Sequence, residues 1–273
     1  MAAVSEPADK GLSAPAVSAD EYDRDYYLHT SMGADAWRES GGREVAGLYQ
    51  GALAMAGMRP GDAVLDVGCG RGELVRVALE LGASRAAGID YSAAAIEMGR
   101  KTLGASVAGA RGELTQGDAR ALPFRDASFN LVTMLDVVEH LTPAELADAF
   151  AEARRVLRPG GRIFVHTAPN RLVYDVTYKL QRISLPWRLR SWPADPRNEH
   201  ERAMHVNEQT TRSLAAALRQ AGFSDPLAWV GRWVYTGHLA SRRAGRWYQL
   251  AARVPGLRDL VAMDLYASGR RPA

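Results

Sequence analysis

The chain has 273 residues and a mass of 29.6 kDa, enough to bury a large core without disulfide bonds, so a disulfide-stabilised miniprotein is excluded. With 47% hydrophobic residues, 24% charged residues and no apolar run of about 18 residues, we expect a soluble protein with no transmembrane segment. The net charge of +3 is unevenly distributed along the chain. Residues 1–170 carry 17 basic and 23 acidic side chains, whereas residues 171–273 carry 17 basic and 8 acidic ones.

The N-terminal residues and the cysteine content suggest where the protein works. Residues 1–20 are rich in Ala, Ser and Pro, which predicts a disordered leader, and they lack the basic and apolar regions of a signal peptide. The single cysteine, Cys69, cannot form an intramolecular disulfide bond. We therefore expect a cytoplasmic protein.

Strands and helices are predicted to alternate along most of the chain. A helix at 44–58 precedes the core. The predicted strands are 63–67, 86–90, 129–135, 162–167, 227–235 and 262–268, and the later helices are 72–81, 93–103, 143–157 and 208–221. Parallel strands need long crossover connections, so this order predicts an α/β fold with a doubly wound, parallel sheet.

The strongest motif is VLDVGCGRGEL, residues 64–74, in which three alternate glycines connect a predicted strand to a helix. Such glycines let the backbone approach a ligand at the helix N-terminus, although an ordinary strand-to-helix turn is the alternative. The spacing differs from the G-x-G-x-x-G of dinucleotide sites. Asp66, two residues before Gly68, would repel a pyrophosphate and attract an ammonium or sulfonium group. These features favour S-adenosylmethionine over NAD.

Two further acids follow at predicted strand ends. Asp90 lies 22 residues after Gly68, where its carboxylate could accept hydrogen bonds from both ribose hydroxyls. Asp118 follows Gly117 and could accept one from the adenine amino group. Each acid alone is also typical of a helix cap or a turn, but together they indicate a ligand crevice at one edge of the sheet.

Over residues 64–170 the sequence resembles the class I S-adenosylmethionine-dependent methyltransferases, and it is closest in motif to the ubiquinone-pathway O-methyltransferases. The resemblance is carried by LDVGCGRG (65–72), GID (88–90), GDARALPF (117–124) and LRPGG (157–161). It implies a Rossmann-like, seven-stranded sheet with one antiparallel strand near the C-terminus. We also expect an N-terminal helical cover and an insertion before the last helix and strands.

The resemblance assigns cofactor-binding roles as well. It implies that the methionine end is held by Asp66, Gly68 and Gly70, the ribose by Asp90, and the adenine by Asp118 and Ala119. The other predicted cofactor contacts are Tyr27, Cys69, Tyr91 and Leu135. Tyr27 and its neighbour Tyr26 are expected to close over the cofactor, with packing of a surface helix as the alternative.

A second constellation, DVVEH (136–140), follows the predicted strand 129–135. On a helix beginning at Asp136, that residue, Glu139 and His140 would share one face as an acid/base or metal-binding set. The segment resembles the E-x-x-E-H of the ubiquinone-pathway and small-RNA 2′-O-methyltransferases, which contributes to a divalent metal site. His205 is similar to a later metal ligand of the RNA enzymes. Asp136 replaces the first glutamate of that motif, so a metal is not favoured and the metal ligands are left unassigned.

Catalytic roles are predicted for Glu139, His140 and His166. An oxygen or nitrogen nucleophile must lose a proton, and a histidine with an ordinary pKa of about 6.5 suits that task. A structural histidine at a strand end is the alternative for His166.

The basic C-terminal part is rich in tryptophan, since five of the six tryptophans follow Asn170. Residues 182–192 interleave arginines with apolar residues, and Trp187 and Trp192 are expected over the acceptor pocket. The stretch could be a substrate lid, a peripheral membrane surface for a lipid-borne acceptor, a nucleic-acid surface or a solvated arginine face.

The sequence thus predicts an enzyme that transfers a methyl group from S-adenosylmethionine to a small-molecule acceptor, most readily at oxygen, in biosynthetic or secondary metabolism. The alternatives are a metal-dependent RNA 2′-O-methyltransferase, an NAD-dependent oxidoreductase and a non-catalytic S-adenosylmethionine-binding module; nucleic acid is not the favoured partner. Residues 21–273 are predicted to form one domain, divided into a cofactor-binding core (42–170), an acceptor-side insertion (171–207) and a C-terminal helix with strands (208–273).

Overall fold

Seven strands form one sheet in this computed structural model, which describes residues 12–44, 47–107, 112–184, 193–231, 254 and 257–273. They are β1 (Ala63–Val67), β2 (Arg85–Asp90), β3 (Gly112–Gln116), β4 (Phe129–Leu135), β5 (Leu157–Thr167), β6 (Ser224–Gly231) and β7 (Asp264–Arg270). Their order across the sheet is β3-β2-β1-β4-β5-β7-β6, and β7 runs in the direction opposite to the other six strands. The predicted doubly wound sheet with one antiparallel strand is confirmed.

Helices cover both faces of the sheet. They are α1 (Arg24–His29), α2 (Ala34–Ser40), α3 (Leu48–Met55), α4 (Glu73–Glu80), α5 (Ala93–Val107), α6 (Pro143–Val156), α7 (Lys179–Ser184), α8 (Glu199–Met204), α9 (Thr211–Gln220) and α10 (Arg258–Val261). A π-helical segment, Val173–Tyr178, leads into α7. Across the ranges given above, no helix is both long and apolar enough to cross a membrane.

The core is divided by the sheet, because alternate residues of each buried strand face opposite sides. On β1, Leu65 and Val67 pack into the cluster beneath α6 and α9, whereas Val64 joins the cluster beneath α3 and α4. All five β1 residues are buried. The largely apolar segment that predicted this strand, interrupted only by Asp66, therefore reflects burial on both faces.

The observed boundaries follow the sequence signals closely where those signals are local. Helix α6 begins with a capping box, in which the Thr142 and Glu145 side chains each accept a hydrogen bond from the other's backbone N–H. Strand β5 is longer than expected, since it also includes the turn-like RPGG segment at 158–161. Strand β3 was not predicted, because its sequence GELTQ is half-exposed and lacks an apolar run.

The N-terminal cover consists of short helices rather than one long one. Helices α1 and α2 pack on α5 through a cluster that includes Tyr27, Trp37 and Met98, and the Trp37 Nε1–H donates to Thr102 Oγ1 at 2.8 Å. The helix expected at 44–58 is present as α3 only. Most of the predicted leader, and both Trp187 and Trp192, lie outside the described residues.

Core packing gives a direct prediction of stability. Phe150 on α6 is fully buried, so Phe150→Ala should lower the free energy of unfolding by about 3–5 kcal/mol, through lost burial and the cavity left behind. Met55→Ala, at a position that is 46% exposed, is the control and should change it by less than about 0.5 kcal/mol. Urea denaturation measures both values, and similar losses in the two variants would contradict the assignment of the core.

Candidate active site

A cleft of about 1270 Å³, including its open mouth, lies where β1, β2 and β4 end. The carboxyl ends of parallel strands are the usual place for a ligand in a doubly wound fold. It is lined by the glycine-rich loop 68–72 between β1 and α4 and by residues of the N-terminal cover. The cleft is therefore enclosed by elements distant in sequence.

The glycine-rich loop depends on positive φ angles and missing Cβ atoms at two of its glycines. Gly68 has φ +73°, and a Cβ there would lie 2.3 Å from Val137 Cγ2. Gly70 has φ +49°, and its missing Cβ would contact the ring of Tyr27 at 3.4 Å. Gly68 N donates to Ile89 O at 2.8 Å, which ties the loop to β2. Only glycine at position 68 allows the segment after β4 to pack this closely.

Asp90, at the end of β2, receives hydrogen bonds from three parts of the protein. Its carboxylate accepts from Gly70 N at 2.9 Å, from Ser92 N at 2.9 Å and from Tyr27 Oη at 3.4 Å. Burial raises the pKa of the Asp90 carboxyl, and these donors act in the opposite direction. The carboxylate lines the cleft at the point expected for a ribose-binding acid.

Asp66, on β1, supplies a second buried carboxylate. It is 4% exposed, lines the cleft, and accepts a hydrogen bond from Thr133 Oγ1 at 2.7 Å. Burial raises the pKa of Asp66 to about 7, although the Thr133 hydroxyl acts to lower it. A cationic ligand beside this carboxylate would favour the ionised form.

The predicted adenine end contains an ion pair that the sequence analysis did not predict. Arg120 donates to both carboxylate oxygens of Asp118 and also to Glu145 Oε1 at 3.2 Å. Asp118 and Ala119 both line the cleft. The Asp118 carboxylate is therefore oriented by Arg120, and part of its hydrogen-bonding capacity is already used.

Arg71, inside the glycine motif, fastens the cover to the loop. It is 2% exposed and donates to the main-chain oxygens of Tyr27 and of Met32, the latter at 2.6 Å. It also pairs with Glu73, whose pKa is raised by burial even though Arg71 acts to lower it. The sequence showed only that Arg71 lies between Gly70 and Gly72. No local pattern predicts that it donates to main-chain oxygens about 40 residues away.

Aromatic rings form another part of the cleft lining. The ring of Tyr22 lies 5.2 Å from that of Tyr26, 5.3 Å from that of Tyr91 and 5.5 Å from that of His140, between centroids. Burial raises the pKa values of Tyr22 and Tyr26, so both phenols stay neutral. These rings meet edge to face or tilted, and together they give this part of the cleft an aromatic lining.

The segment after β4 does not form the helix expected from Asp136. That residue has φ +54°, and only a 3-10 turn follows, at Val138–His140. Asp136 Oδ1 lies 2.9 Å from His166 Nδ1, while His166 Nε2 lies 3.3 Å from Asp264 Oδ1. Asp136 lines the cleft, and His166 lies behind it at 1% exposure.

Glu139, His140 and His205 form a group whose ligand atoms lie within 4.8 Å of one another. Two imidazoles and one carboxylate are a donor set that fits a divalent transition metal. Glu139 is 2% exposed and accepts from Thr167 Oγ1 at 2.7 Å, and burial, with Asp136, raises its pKa to about 8. Asp136 faces His166 and is not part of this group.

The structure brings most of the predicted site residues to one cleft. Those that line it are Tyr27, Asp66, Gly68, Cys69, Gly70, Asp90, Tyr91, Asp118, Ala119, Leu135 and His140. Glu139 and His166 are buried behind this surface and do not line it. The roles of all these residues stay predictions.

Comparison with known proteins adds independent findings. Residues 64–161 match the family model described as "Methyltransferase domain". The chain is 37% identical over 112 residues to a demethylmenaquinone methyltransferase of Symbiobacterium thermophilum. This match covers 40% of this chain and 44% of the relative. It is 32% identical over 182 residues to the ubiquinone/menaquinone biosynthesis C-methyltransferase UbiE of Ectopseudomonas mendocina, covering 63% and 68% respectively.

The solved structures show the same fold. A phosphoethanolamine N-methyltransferase 2 of Haemonchus contortus superposes with a TM-score of 0.62 at 18% identity, covering 94% of this chain and 61% of that one. The chain spans less than half the length of several curated relatives that it matches. With the Ectopseudomonas relative matched over two thirds of its length, the chain belongs to the class I S-adenosylmethionine-dependent methyltransferases.

Proposed function

We propose that this protein transfers a methyl group from S-adenosylmethionine to a small-molecule acceptor in the cytoplasm. The observation that carries the proposal is the cleft in which the glycine loop, with positive φ at Gly68 and Gly70, converges with Asp66 and Asp90. When bound, S-adenosylmethionine supplies an electrophilic methyl group on a cationic sulfonium. The residues described above fit it, because buried carboxylates and a backbone cradle suit a cationic, hydroxyl-rich ligand.

The excess of negative charge in the cleft favours binding of a cationic ligand. Its lining includes six carboxylates, and its two arginines, Arg71 and Arg120, are already paired with Glu73 and Asp118. An NAD pyrophosphate would be placed against uncompensated negative charge beside Gly68. We therefore rank an NAD-dependent oxidoreductase below methyl transfer, and calorimetry with each cofactor discriminates between them.

In this proposal the chain's own residues bind and orient. Asp66 and the loop at Gly68 and Gly70 hold the methionine end, and Asp90 holds the ribose. Asp118 and Ala119 hold the adenine. The ligand is enclosed by Tyr27, Cys69, Tyr91 and Leu135.

On the acceptor side, His140 faces the acceptor, while Glu139 and His166 lie behind the cleft surface and support that side.

The atom that is methylated is the finer part of the proposal. Oxygen is our leading nucleophile. The UbiE relative is named a C-methyltransferase and the Haemonchus protein an N-methyltransferase, so carbon and nitrogen are the alternatives. We also propose one domain at 21–273 with residues 171–207 as the acceptor-side insertion, which is supported by the continuous sheet from β1 to β7.

Removal of the Asp90 charge tests the cofactor assignment. Asp90→Asn keeps the shape of the side chain but weakens acceptance from two ribose hydroxyls, so affinity for S-adenosylmethionine should fall about 10- to 100-fold. Isothermal titration calorimetry measures the change. The control is Asp126→Asn, at a surface carboxylate that is 72% exposed and should leave affinity unchanged. Equal affinity in the two variants would remove Asp90 from the site.

Asp66 predicts a pH dependence of binding. Its carboxyl has a pKa raised to about 7, and a cationic ligand prefers the ionised form, so affinity should fall as pH is lowered through about 7. Calorimetry between about pH 6 and 7.5 follows this change below the ordinary pKa of an α-amino group. In Asp66→Asn the dependence should flatten, and a wild-type affinity that stays constant over this range would refute the role.

A second candidate is metal-dependent methylation of an RNA 2′-hydroxyl. The observation favouring it is the Glu139, His140 and His205 group, together with the net charge of +9 after residue 170. Such an enzyme would bind RNA with strong salt dependence, because phosphate contacts release counterions.

Chelation separates the two candidates. If the leading proposal holds, transfer of labelled methyl groups to an extract of small metabolites should be unchanged by EDTA, since no required ion is removed. Short RNA oligonucleotides should stay unlabelled at low salt, where electrostatic binding is strongest. Loss of transfer with EDTA that Mn²⁺ restores, together with RNA labelling, would instead establish the second candidate.

A further inference from the structure

Three side chains form a line from the cleft into the interior. The Asp136 carboxylate lines the cleft and is 25% exposed, and its Oδ1 lies 2.9 Å from His166 Nδ1. His166 Nε2 lies 3.3 Å from Oδ1 of Asp264, the first residue of β7. Both inner residues are 1% exposed. The surface carboxylate is thus backed by a buried imidazole and a buried second carboxylate.

The backbone fixes Asp136 in the same place. Its φ of +54° lies in the left-handed region, which is uncommon outside glycine and is retained mainly where surrounding contacts impose it. Asp136 N donates to His166 O at 3.0 Å. The next residue, Val137, fills the space left by the missing Cβ of Gly68. The Asp136 side chain therefore lies beside the glycine loop with little freedom to move.

We propose that Asp136 receives the proton that a hydroxyl acceptor loses during methyl transfer, and that His166, anchored by Asp264, is the positioning residue that holds it. This inference rests on the methyl transfer proposed above. The acceptor oxygen forms a bond to the methyl carbon, and the carbon–sulfur bond breaks with its electron pair remaining on sulfur. The hydroxyl proton passes to the Asp136 carboxylate and then to water.

The surroundings assign this task to Asp136 rather than to His166. Both nitrogens of His166 face carboxylates, and the ring does not line the cleft. Burial alone would lower the pKa of His166, but Asp136 and Asp264 together raise it to about 10. At neutral pH the ring is therefore a cation without a lone pair for a proton. With both nitrogens engaged and the ring behind the cleft surface, His166 can orient Asp136 but does not reach an acceptor.

His140 is also engaged by the protein. Its Nδ1 lies 3.1 Å from Met204 O, and its Nε2 lies 3.9 Å from Glu139 Oε1. Tyr26 also lines the cleft, and its pKa is raised by burial and next by the Asp136 charge. The Asp136 carboxylate and the aromatic rings therefore line the same cleft, in which an acceptor can meet the carboxylate. A hydroxyl becomes much more acidic as its oxygen bonds to carbon, so a carboxylate is a sufficient base.

Two probes that differ in their need for a base test the role of Asp136. 4-Hydroxybenzyl alcohol carries protonated hydroxyls, whereas thiophenol is already ionised at about pH 8 and needs no base. With labelled S-adenosylmethionine, Asp136→Asn should slow methylation of the hydroxyl probe by roughly 100-fold or more. Methylation of thiophenol should be unchanged or faster, because a negative charge beside the thiolate is removed. Calorimetry should show that the variant still binds S-adenosylmethionine, with a smaller loss of affinity than Asp90→Asn causes.

The control variant is Asp148→Asn, which removes an exposed carboxylate on α6 and should leave both rates unchanged. His166→Gln should slow the hydroxyl probe and spare thiophenol, as expected of a residue that acts through Asp136. A general loss of structure would slow both probes.

Nitrogen NMR of the histidine rings tests the arrangement without any acceptor. In the wild-type protein at about pH 8, both nitrogens of His166 should carry protons, unlike those of a histidine with an ordinary pKa. Asp136→Asn and Asp264→Asn should each lower the pH at which this ring titrates. A neutral His166 at that pH would overturn the proposal, whatever the activity.

The remaining outcomes separate the two proposals. Absence of S-adenosylmethionine binding by the wild-type protein would refute the proposed function itself. If the cofactor binds, the Asp136 proposal is overturned by equal slowing of both probes, by slowing of neither, or by failure of the wild-type protein to methylate the hydroxyl probe. Selective slowing of the hydroxyl probe, with a cationic His166, supports it.

Discussion

The carboxylate of Asp90 is the point on which the cleft depends. It accepts hydrogen bonds from the glycine loop through Gly70, from the start of α5 through Ser92 and from the N-terminal cover through Tyr27. A buried carboxylate is costly unless such donors surround it. The need to satisfy one charge therefore brings a loop, a helix and the cover to the end of β2.

The sequence predicted best those elements whose signals are local. The ends of β1 and β4 are as expected, because both strands are mostly apolar and mostly buried, with Asp66, Asn130 and Thr133 as their polar residues. The start of α6 is set by the capping box at Thr142 and Glu145. The cofactor residues that line the cleft come together because they follow strands that run in the same direction. A one-dimensional pattern is sufficient for such features.

Features that depend on distant partners could not be predicted in this way. The spacing of Asp136, Glu139 and His140 suggested a helix, yet Asp136 turns toward His166 and leaves only a 3-10 turn behind it. Asp264 completes that interaction from the last strand, which no local pattern relates to β4. Strand β3 was missed because a half-exposed strand that ends a sheet needs little apolar sequence.

The contacts of Arg71 have a consequence for how the cover can change. This side chain holds the cover through the main-chain oxygens of Tyr27 and Met32, which every amino acid possesses. Side chains around those two carbonyls can therefore be exchanged while the attachment is kept. Arg71 thus adds to the Tyr27–Asp90 hydrogen bond an attachment that does not depend on the side chains of the cover, so other positions of the cover can vary while it stays joined to the glycine loop.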